Sequence, residues 1–486
     1  MEIKIGKSDW LFLLLCLLLG IVAEEAFFRG EIGISYIVFI MSFYFVFFWK
    51  FRSFPFSHQR LGYLIVCCIW LLSASYLLND NRLFKTLNIV VIPGLVISHL
   101  VLISSPKNFK WNQPAFITLI FSRLMDMFKY YLKFSGVLGE GLKHGAGGEK
   151  WLVWKKILIG VAISIPVLLV VLRLLMSADT QFERIIGGIP DWFNIVDAEG
   201  IFRLIVTLIF TLGFFGFMQV LLIKQIKVLK QQNDAVNFQM DGIISITVLV
   251  LINIVYILFT LVQFKYFFSG TLQENYTYAE YARKGFFELL FVTLINLSIT
   301  IIVITFVQRT NSFIKRFTQV MLTILVLSSA VMLSSAFLRL GMYEEAYGFT
   351  FTRVLVHSFM IFLVIIFAYS LVKIWVEKLS LFHFYFISCM IYYTAIAVID
   401  LDKIVIKENM NRFETSGKID INYLNQLSYT GVTGLISLYE ENPEIPGLRN
   451  ILLDRKREAL TTNLPWQSYN LKREQAFSKL KKLDLE

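Results

Sequence analysis

Long apolar runs separated by short polar segments dominate the chain of 486 residues. A bilayer core about 30 Å thick is crossed by a helix of about 20 apolar residues, so each long run predicts a membrane-spanning helix. Eleven such runs cover residues 10–28, 32–49, 61–78, 83–103, 152–176, 201–223, 242–264, 286–307, 317–338, 354–375 and 382–400. The pattern predicts an all-α fold: a polytopic transmembrane helix bundle of about 11 helices with a small C-terminal helical extramembrane domain.

The first apolar run is the weakest, since its uninterrupted part is short. Lys4 and Lys7 precede it, as in a secretory signal peptide. Glu24 and Glu25 interrupt the place where a cleavage site would follow, which favours a retained first helix.

Lys and Arg in the connecting segments predict the orientation. If the N-terminus is cytoplasmic, the inner segments hold 22 of these residues and the outer loops hold 9. Positive residues favour the cytoplasmic side, so we expect the N-terminus inside. Eleven crossings then put the C-terminal segment outside the cytoplasm.

Composition supports a membrane protein and excludes other classes. The chain is 57% hydrophobic and 17% charged, against roughly 25% charged residues in soluble domains. The positive residues behind the net charge of +11 are spread over the loops, and the sequence shows no known nucleic-acid-binding motif, so we expect no nucleic-acid partner. The four Cys lie in apolar runs and the five His are scattered, so no metal site and no cofactor is expected.

Four regions follow from these patterns. Residues 1–103 form an N-terminal four-helix transmembrane region, and residues 104–151 form a cytoplasmic loop with an amphipathic helix. Residues 152–400 form a transmembrane core of about seven helices. Residues 401–486 change to a balanced charge, which predicts a soluble, extracytoplasmic domain of three or four helices.

The amphipathic helix is expected between Pro114 and Phe134. Apolar residues recur there at helical spacing opposite Arg123, Lys129 and Lys133. Such a helix lies in the membrane interface or packs under the bundle, and the sequence leaves both open.

Ionisable residues cluster in three predicted outer regions. A charge at the bilayer centre costs roughly 2.5 to 3.5 kcal/mol, so charges near helix ends are informative. The candidate ligand-binding residues in these clusters are Asp179, Glu280, Arg283, Glu288, Arg339, Glu344, Glu345 and Arg353. They are expected to bind an anionic group or, alternatively, to pair with one another and lock helix ends together.

A polar stripe marks the seventh predicted helix. Asn253, Tyr256, Thr260 and Gln263 recur at helical spacing, and Asn296 on the eighth helix is placed to face them. Such a stripe lines a wet cleft or makes hydrogen bonds between packed helices.

At residues 277–290, TYAEYARKGFFELL, the sequence resembles a family of bacterial membrane proteins, domain of unknown function 4173, which is related to group 4153. The resemblance spans roughly residues 152–428, and the first four helices resemble the family only by hydropathy. Further matching segments are MSADTQF at 176–182, Arg339, Tyr343, AYGFTFTR at 346–353, ENMNR at 408–412 and DINYLNQLS at 420–428. The resemblance implies a multi-pass bacterial membrane protein and supplies no catalytic residues.

The function expected is therefore that of an integral protein of the bacterial cytoplasmic membrane with no assigned catalytic residue. We expect a non-enzymatic envelope component that binds an anionic or lipid-linked ligand in an outward-facing polar cleft, in a transport-like, sensory or assembly role. Membrane lipids and other envelope proteins are the expected partners. The alternative is a glycosyl- or phosphoryl-transferase using a polyprenyl carrier, with Glu24, Glu25, Asp179 or Glu288 as acid or base.

Overall fold

The computed structural model of the chain consists of α-helices. It describes residues 7–143, 198–222, 239–263, 286–307 and 311–485, as well as residues 164 and 175. The helices of these ranges are α1 (Lys7–Phe28), α2 (Ile34–Lys50), α3 (Gln59–Leu78), α4 (Arg82–Ser104), α5 (Ala115–Lys143), α6 (Ala198–Leu222), α7 (Gly242–Gln263), α8 (Phe286–Phe306), α9 (Ser312–Tyr347), α10 (Phe351–Trp375), α11 (Leu381–Val398), α12 (Leu401–Ser416), α13 (Ile421–Gln426), α14 (Tyr429–Glu441), α15 (Leu448–Thr461) and α16 (Leu471–Lys482). The described ranges contain no β-strand, which confirms the all-α class.

Ten predicted apolar runs fall within the described ranges, and each of them is helical. Nine helices there are long and apolar enough to cross a membrane, namely α1, α3, α4 and α6 to α11. Helix α2 is apolar but has 17 residues, a length of about 26 Å. The predicted run at 152–176 lies outside the described residues. The chain is a multi-pass membrane protein.

One compact unit comprises Met1–Phe56 and Thr118–Lys224. Helices α1 and α6 approach closely in this unit because Gly20 carries no side chain. A Cβ atom added to Gly20 would lie 2.4 Å from Oγ1 of Thr211 and 2.7 Å from the carbonyl oxygen of Thr207. Small residues allow this close approach between membrane helices, where packing drives association.

Polar contacts join the helix ends of this unit in two groups. At one end, Asp9 accepts hydrogen bonds of 3.0 Å from Nζ of Lys50 and from Nε2 of Gln219. At the other end, Arg203 lies 3.6 Å from the carboxylate of Glu24. The predicted topology places the first group on the cytoplasmic side and the second outside.

Helix α5 lies where the amphipathic helix was predicted, and it buries one of the charges named there. Arg123 is 3% exposed and donates a hydrogen bond of 3.2 Å to the carbonyl oxygen of Val220, in the last turn of α6. Arg123, which the sequence places opposite the apolar face, is therefore buried at the carbonyl end of α6, where an arginine is stabilising. Leu119 of the predicted apolar face is buried, as in a packed helix, whereas Phe121, Met125 and Phe128 form an exposed apolar stripe, as in an interfacial one. Both predicted positions stay open.

The second compact unit comprises Ser57–Ile117 and Gln225–Glu486. An apolar core of this unit lies between α7, α8, α9 and α10. Helix α9 has 36 residues, or about 54 Å, so it is much longer than the bilayer core is thick. It begins after the N-cap Asn311 and ends at Gly348, whose φ of +85° suits glycine.

The C-terminal domain, within the second unit, comprises α12 to α16, so the structure has five helices where three or four were expected. Its core includes Leu424, Leu435 and Leu452. Gly434 lets α14 approach α12, since an added Cβ would lie 2.7 Å from Cγ2 of Ile406. Leu460, which continues the apolar periodicity of the sequence, is 64% exposed at the end of α15.

Candidate functional site

At one end of the second unit, the loop after α3, the loop after α9 and the end of α11 meet the C-terminal domain. Nδ2 of Asn79 donates to the carbonyl oxygen of Val398 at 2.7 Å. Nδ2 of Asn470 donates to the carbonyl oxygen of Asn79 at 2.9 Å, and Nδ2 of Asn409 donates to that of Phe349 at 2.8 Å. These are the segments that the predicted topology places outside, and we call this end the domain-side end.

Contacts at the opposite end join the segments that the predicted topology places inside. Oγ of Ser380 donates to the carbonyl oxygen of Asn112 at 3.1 Å. Nζ of Lys315 lies 2.9 Å from the carboxylate of Glu377. The grouping of loops agrees with the prediction, while the cytoplasmic or outer position of each end stays a prediction.

The third charged cluster lies at the domain-side end of α9 and α10. Oε2 of Glu344 pairs with Nδ1 of His357 at 3.0 Å. The guanidinium of Arg353 lies 4.2 Å from the ring centre of Tyr343 and also donates to the carbonyl oxygen of Gly348. The carboxylate of Glu344 thus pairs with a histidine, and the arginine contacts an aromatic ring and the backbone.

The C-terminal domain holds the loop between α9 and α10 by backbone contacts. Arg412 donates to the carbonyl oxygens of Glu345 at 3.2 Å and Ala346 at 2.9 Å. The hydroxyl of Tyr423 accepts a hydrogen bond of 2.7 Å from the amide of Phe351. Apart from Glu345, these residues belong to the segments 346–353, 408–412 and 420–428 quoted for the family resemblance, so three separate segments of sequence meet at one place.

The residues of the charged clusters differ in solvent exposure. Arg339 is 5% exposed and Glu344 is 2% exposed, whereas Glu345 and Glu288 are exposed. The other three predicted residues lie outside the described residues: Asp179, Glu280 and Arg283. The expected convergence of all three clusters therefore stays a prediction.

The predicted polar stripe of α7 faces its neighbouring helices. Nδ2 of Asn253 donates to the carbonyl oxygen of Met321 at 2.9 Å. Nδ2 of Asn296 donates to Oγ of Ser329 at 2.9 Å, and Tyr256 lies beside Asn296. These contacts are hydrogen bonds between packed helices, one of the two predicted roles.

Oxygen atoms of the same stripe have no partner among the described residues. They are Oδ1 of Asn253, Oγ1 of Thr260 and Oδ1 of Asn296, all buried. Gln263 ends α7, and its side chain lies outside the described part of the structure. Buried acceptors of this kind are commonly satisfied by water or by a ligand, so the second predicted role stays open.

A small recess opens at the domain-side end, between the α3–α4 loop, α10, the start of α12 and the start of α14. It has a volume of about 220 Å³, including the part that is open to solvent. Phe84 and Phe351 form part of its apolar wall. Its polar lining consists of Asn79, Asp80, Asn81, Asp400, Asp402 and Ser428.

Two of the three carboxylates in the recess have lysine partners. Asp80 pairs with Lys85. Asp400 pairs with Lys472 at 3.1 Å and accepts the N-cap hydrogen bond of α12. The described residues contain no group of three Asp, Glu, His or Cys side chains placed to hold a metal ion.

Asp402 differs from these two carboxylates. It is 3% exposed, and its Oδ2 accepts a hydrogen bond of 3.4 Å from the amide of Ser428. Its Oδ1 is buried and has no hydrogen-bond partner among the described residues. Burial raises the pKa of Asp402, and the charge of Asp400 raises it further, while the polar groups of Ser428 and Asn81 beside it act in the opposite direction. A buried carboxylate oxygen without a partner is costly, and a hydrogen-bond donor entering the recess would stabilise it.

Asp402 is not among the site residues predicted from the sequence. A local signal is present, since Asp400 and Asp402 directly follow the last apolar run. The pattern does not distinguish them, because their environments depend on Asn81 and Ser428, which are distant in the sequence. Only the tertiary structure separates the lysine-paired carboxylate from the buried one.

The carboxylates suggested for the transferase alternative lie elsewhere. Glu24 is 5% exposed in the first unit, near Arg203. Glu25 pairs with Arg29 at 2.8 Å. These contacts are those of structural ion pairs, so they do not favour catalysis by the first loop.

Comparison with known proteins gives one family. A family model with the description "Domain of unknown function (DUF4153)" matches residues 66–438, from within α3 to within α14. The match begins well before residue 152, so it extends further toward the N-terminus than the sequence resemblance indicated. No curated protein and no solved structure matches the chain.

Proposed function

Since the chain belongs to the family described as "Domain of unknown function (DUF4153)", which names no activity, we propose a function from the geometry of the recess. The protein is a non-enzymatic envelope component that binds the primary ammonium group of a lipid or lipid-linked molecule. Asp402 is the residue that receives this group. The single observation that carries the proposal is its buried, unpartnered Oδ1.

The charge of the recess supports an ammonium group. Lys85 and Lys472 balance Asp80 and Asp400, which leaves Asp402 without a cationic partner in the described part of the chain. A primary ammonium offers one positive charge and three donors in the volume of about one water molecule. A hydrogen bond between charged groups contributes about 1.5–3 kcal/mol, which exceeds that of a neutral donor.

The position of the recess supports a ligand attached to a lipid. Its wall includes Phe84 and Phe351, in the first turns of the membrane helices α4 and α10, and Ala397, in the last turn of α11. The ends of membrane helices lie at the depth of lipid head groups. A head group can therefore reach Asp402 while its acyl chains stay in the bilayer.

We also propose that the recess faces outward, with the N-terminus in the cytoplasm of a bacterial cell and the C-terminal domain outside. The excess of Lys and Arg in the opposite loops, 22 against 9, supports this orientation. An anionic ligand at the charged clusters stays a prediction. Arg353 already contacts Gly348 and Tyr343, which makes that site the weaker one.

Lipid binding in nanodiscs tests the proposal. The full chain is placed in equal amounts of phosphatidylethanolamine and phosphatidylcholine, which differ in three methyl groups that replace the ammonium donors. Retained lipids are counted by native mass spectrometry for the wild type, Asp402→Asn and the control Asp454→Asn. Asp454 is a suitable control because it is 78% exposed and does not line the recess.

We expect the wild type and Asp454→Asn to retain phosphatidylethanolamine preferentially. Asp402→Asn should reduce this preference about 10- to 150-fold, which corresponds to the loss of one charge-assisted hydrogen bond. Free ethanolamine should displace the lipid if the amine alone is recognised. Equal retention of the two lipids by the wild type, or an unchanged preference in Asp402→Asn, would refute the proposal.

A further inference from the structure

The segment between α15 and α16 exposes an unusual number of large apolar side chains. Leu460 is 64% exposed, Leu464 39%, Trp466 52% and Tyr469 42%. Among described residues 401–485, five large apolar side chains are exposed, and four of them lie in this segment of ten residues. We call these four residues the aromatic patch.

The aromatic patch is fixed at the end of a membrane helix. Asn470, directly after it, is 2% exposed, and its Nδ2 donates hydrogen bonds of 2.9 Å to the carbonyl oxygens of Tyr76 and Asn79. Tyr76 lies in the last turn of α3. Gln467 and Ser468 are buried, so the turn that carries Trp466 is itself packed.

The distance from this anchor to the patch is short. Trp466 lies four residues before Asn470, and an extended chain spans at most about 3.6 Å per residue. Trp466 therefore lies within about 15 Å of Asn470, which contacts the end of α3, and the helical turn Trp466–Ser468 shortens that distance.

An exposed apolar stripe of α3 ends beside the residue that Asn470 contacts. Three large apolar side chains of this membrane helix are exposed: Tyr63 is 71% exposed, Leu71 44% and Leu78 40%. Their positions, at intervals of eight and seven residues, put them on one stripe of the helix. Lipid covers such a stripe in a membrane protein, and Leu78 ends it next to Asn79, the partner of Asn470.

We propose that the aromatic patch inserts into the head-group region of the bilayer beside α3 and anchors the C-terminal domain to the lipid surface. Tryptophan and tyrosine favour this region, because each has a large apolar ring and one polar group. The attachment of Asn470, directly after the patch, to the end of the lipid-facing helix α3 favours lipid over a protein partner. The inference is independent of the ammonium site, since none of the four residues of the aromatic patch lines the recess.

Fluorine NMR of the full chain tests this position. The nine tryptophans are replaced by 5-fluorotryptophan during expression, and the resonance of Trp466 is assigned by its loss in Trp466→Phe. The protein is placed in nanodiscs that contain a phospholipid with a nitroxide on its head group. A second sample contains a water-soluble gadolinium chelate instead.

We expect the nitroxide lipid to broaden the Trp466 resonance several-fold more than the soluble chelate does. Trp375, which is 54% exposed in the last turn of α10, is the reference for a tryptophan of a membrane helix. Broadening of Trp466 by the soluble chelate with no effect of the nitroxide lipid would refute the proposal, as would protection from both reagents, which would indicate a protein partner. In Asn470→Ser, we expect the effect of the nitroxide lipid on Trp466 to decrease.

Discussion

Substitutions of Asn470 separate two roles of one side chain. Its Oδ1 caps α16 by accepting a hydrogen bond of 3.1 Å from the amide of Arg473. Its Nδ2 joins the C-terminal domain to α3 through the carbonyl oxygens of Tyr76 and Asn79. Asn470→Ser keeps a residue that is a good N-cap and removes the two hydrogen bonds donated by Nδ2. Asn470→Ala removes both of these hydrogen bonds and the N-cap.

The magnitudes follow from these contacts. Two neutral hydrogen bonds contribute about 1 kcal/mol each, so Asn470→Ser should weaken the attachment of the C-terminal domain by about 2 kcal/mol. Loss of the N-cap adds about 1 kcal/mol in Asn470→Ala, although part of that acts within α16. A free-energy change of 1.36 kcal/mol corresponds to a factor of ten. The equilibrium between the attached and detached C-terminal domain should therefore change about 30-fold in Asn470→Ser and up to about 150-fold in Asn470→Ala.

Limited proteolysis of the protein in nanodiscs measures this equilibrium. When opening and closing are fast relative to cleavage, the cleavage rate follows the population of the detached form. We expect cleavage before the C-terminal domain to accelerate about 30-fold in Asn470→Ser, following from the loss of about 2 kcal/mol. Asn442→Ser, the same change at an exposed asparagine, should have no effect. A wild-type rate in Asn470→Ser would refute the reasoning, because the two hydrogen bonds to α3 would then contribute nothing.

Three further predictions concern packing and protonation, and thermal unfolding measures each of them. Gly20→Ala should destabilise the first unit by about 1–3 kcal/mol, because its Cβ would meet Thr211, whereas Gly213→Ala, with no described atom within 4 Å, should be tolerated. Gly434→Ala should destabilise the C-terminal domain by a similar amount, about 1–3 kcal/mol. Because burial raises the pKa of Asp402, the folded chain binds its proton more tightly than the unfolded chain does. Stability should therefore fall as the pH rises from about 3.9 through the raised pKa, and Asp402→Asn should remove this slope.

The membrane helices were predictable because a long apolar run in a bilayer has to satisfy its backbone internally. Their ends were less predictable. Helix α9 extends beyond the apolar run at 317–338 in both directions, since Asn311 caps its start and Gly348 ends it. Hydropathy identifies the part of a helix that crosses the membrane, whereas the caps determine where the helix begins and ends.

The candidate site was less predictable because it depends on contacts between distant residues. His357 follows Arg353 at helical spacing, but its partner is Glu344, on the preceding helix. Arg123 lies opposite the predicted apolar residues of α5, and its partner is Val220, on α6. Sequence periodicity describes one helix at a time, so it does not predict which residues pair between helices.

The amine site at Asp402 is tested most directly by an experimental map of the protein in phosphatidylethanolamine nanodiscs. We predict a head-group nitrogen at about 3 Å from Oδ1 of Asp402, and its loss in phosphatidylcholine nanodiscs. A recess that holds only water in both lipids, or an Asp402 whose Oδ1 is bonded to another side chain of the protein, would contradict the account.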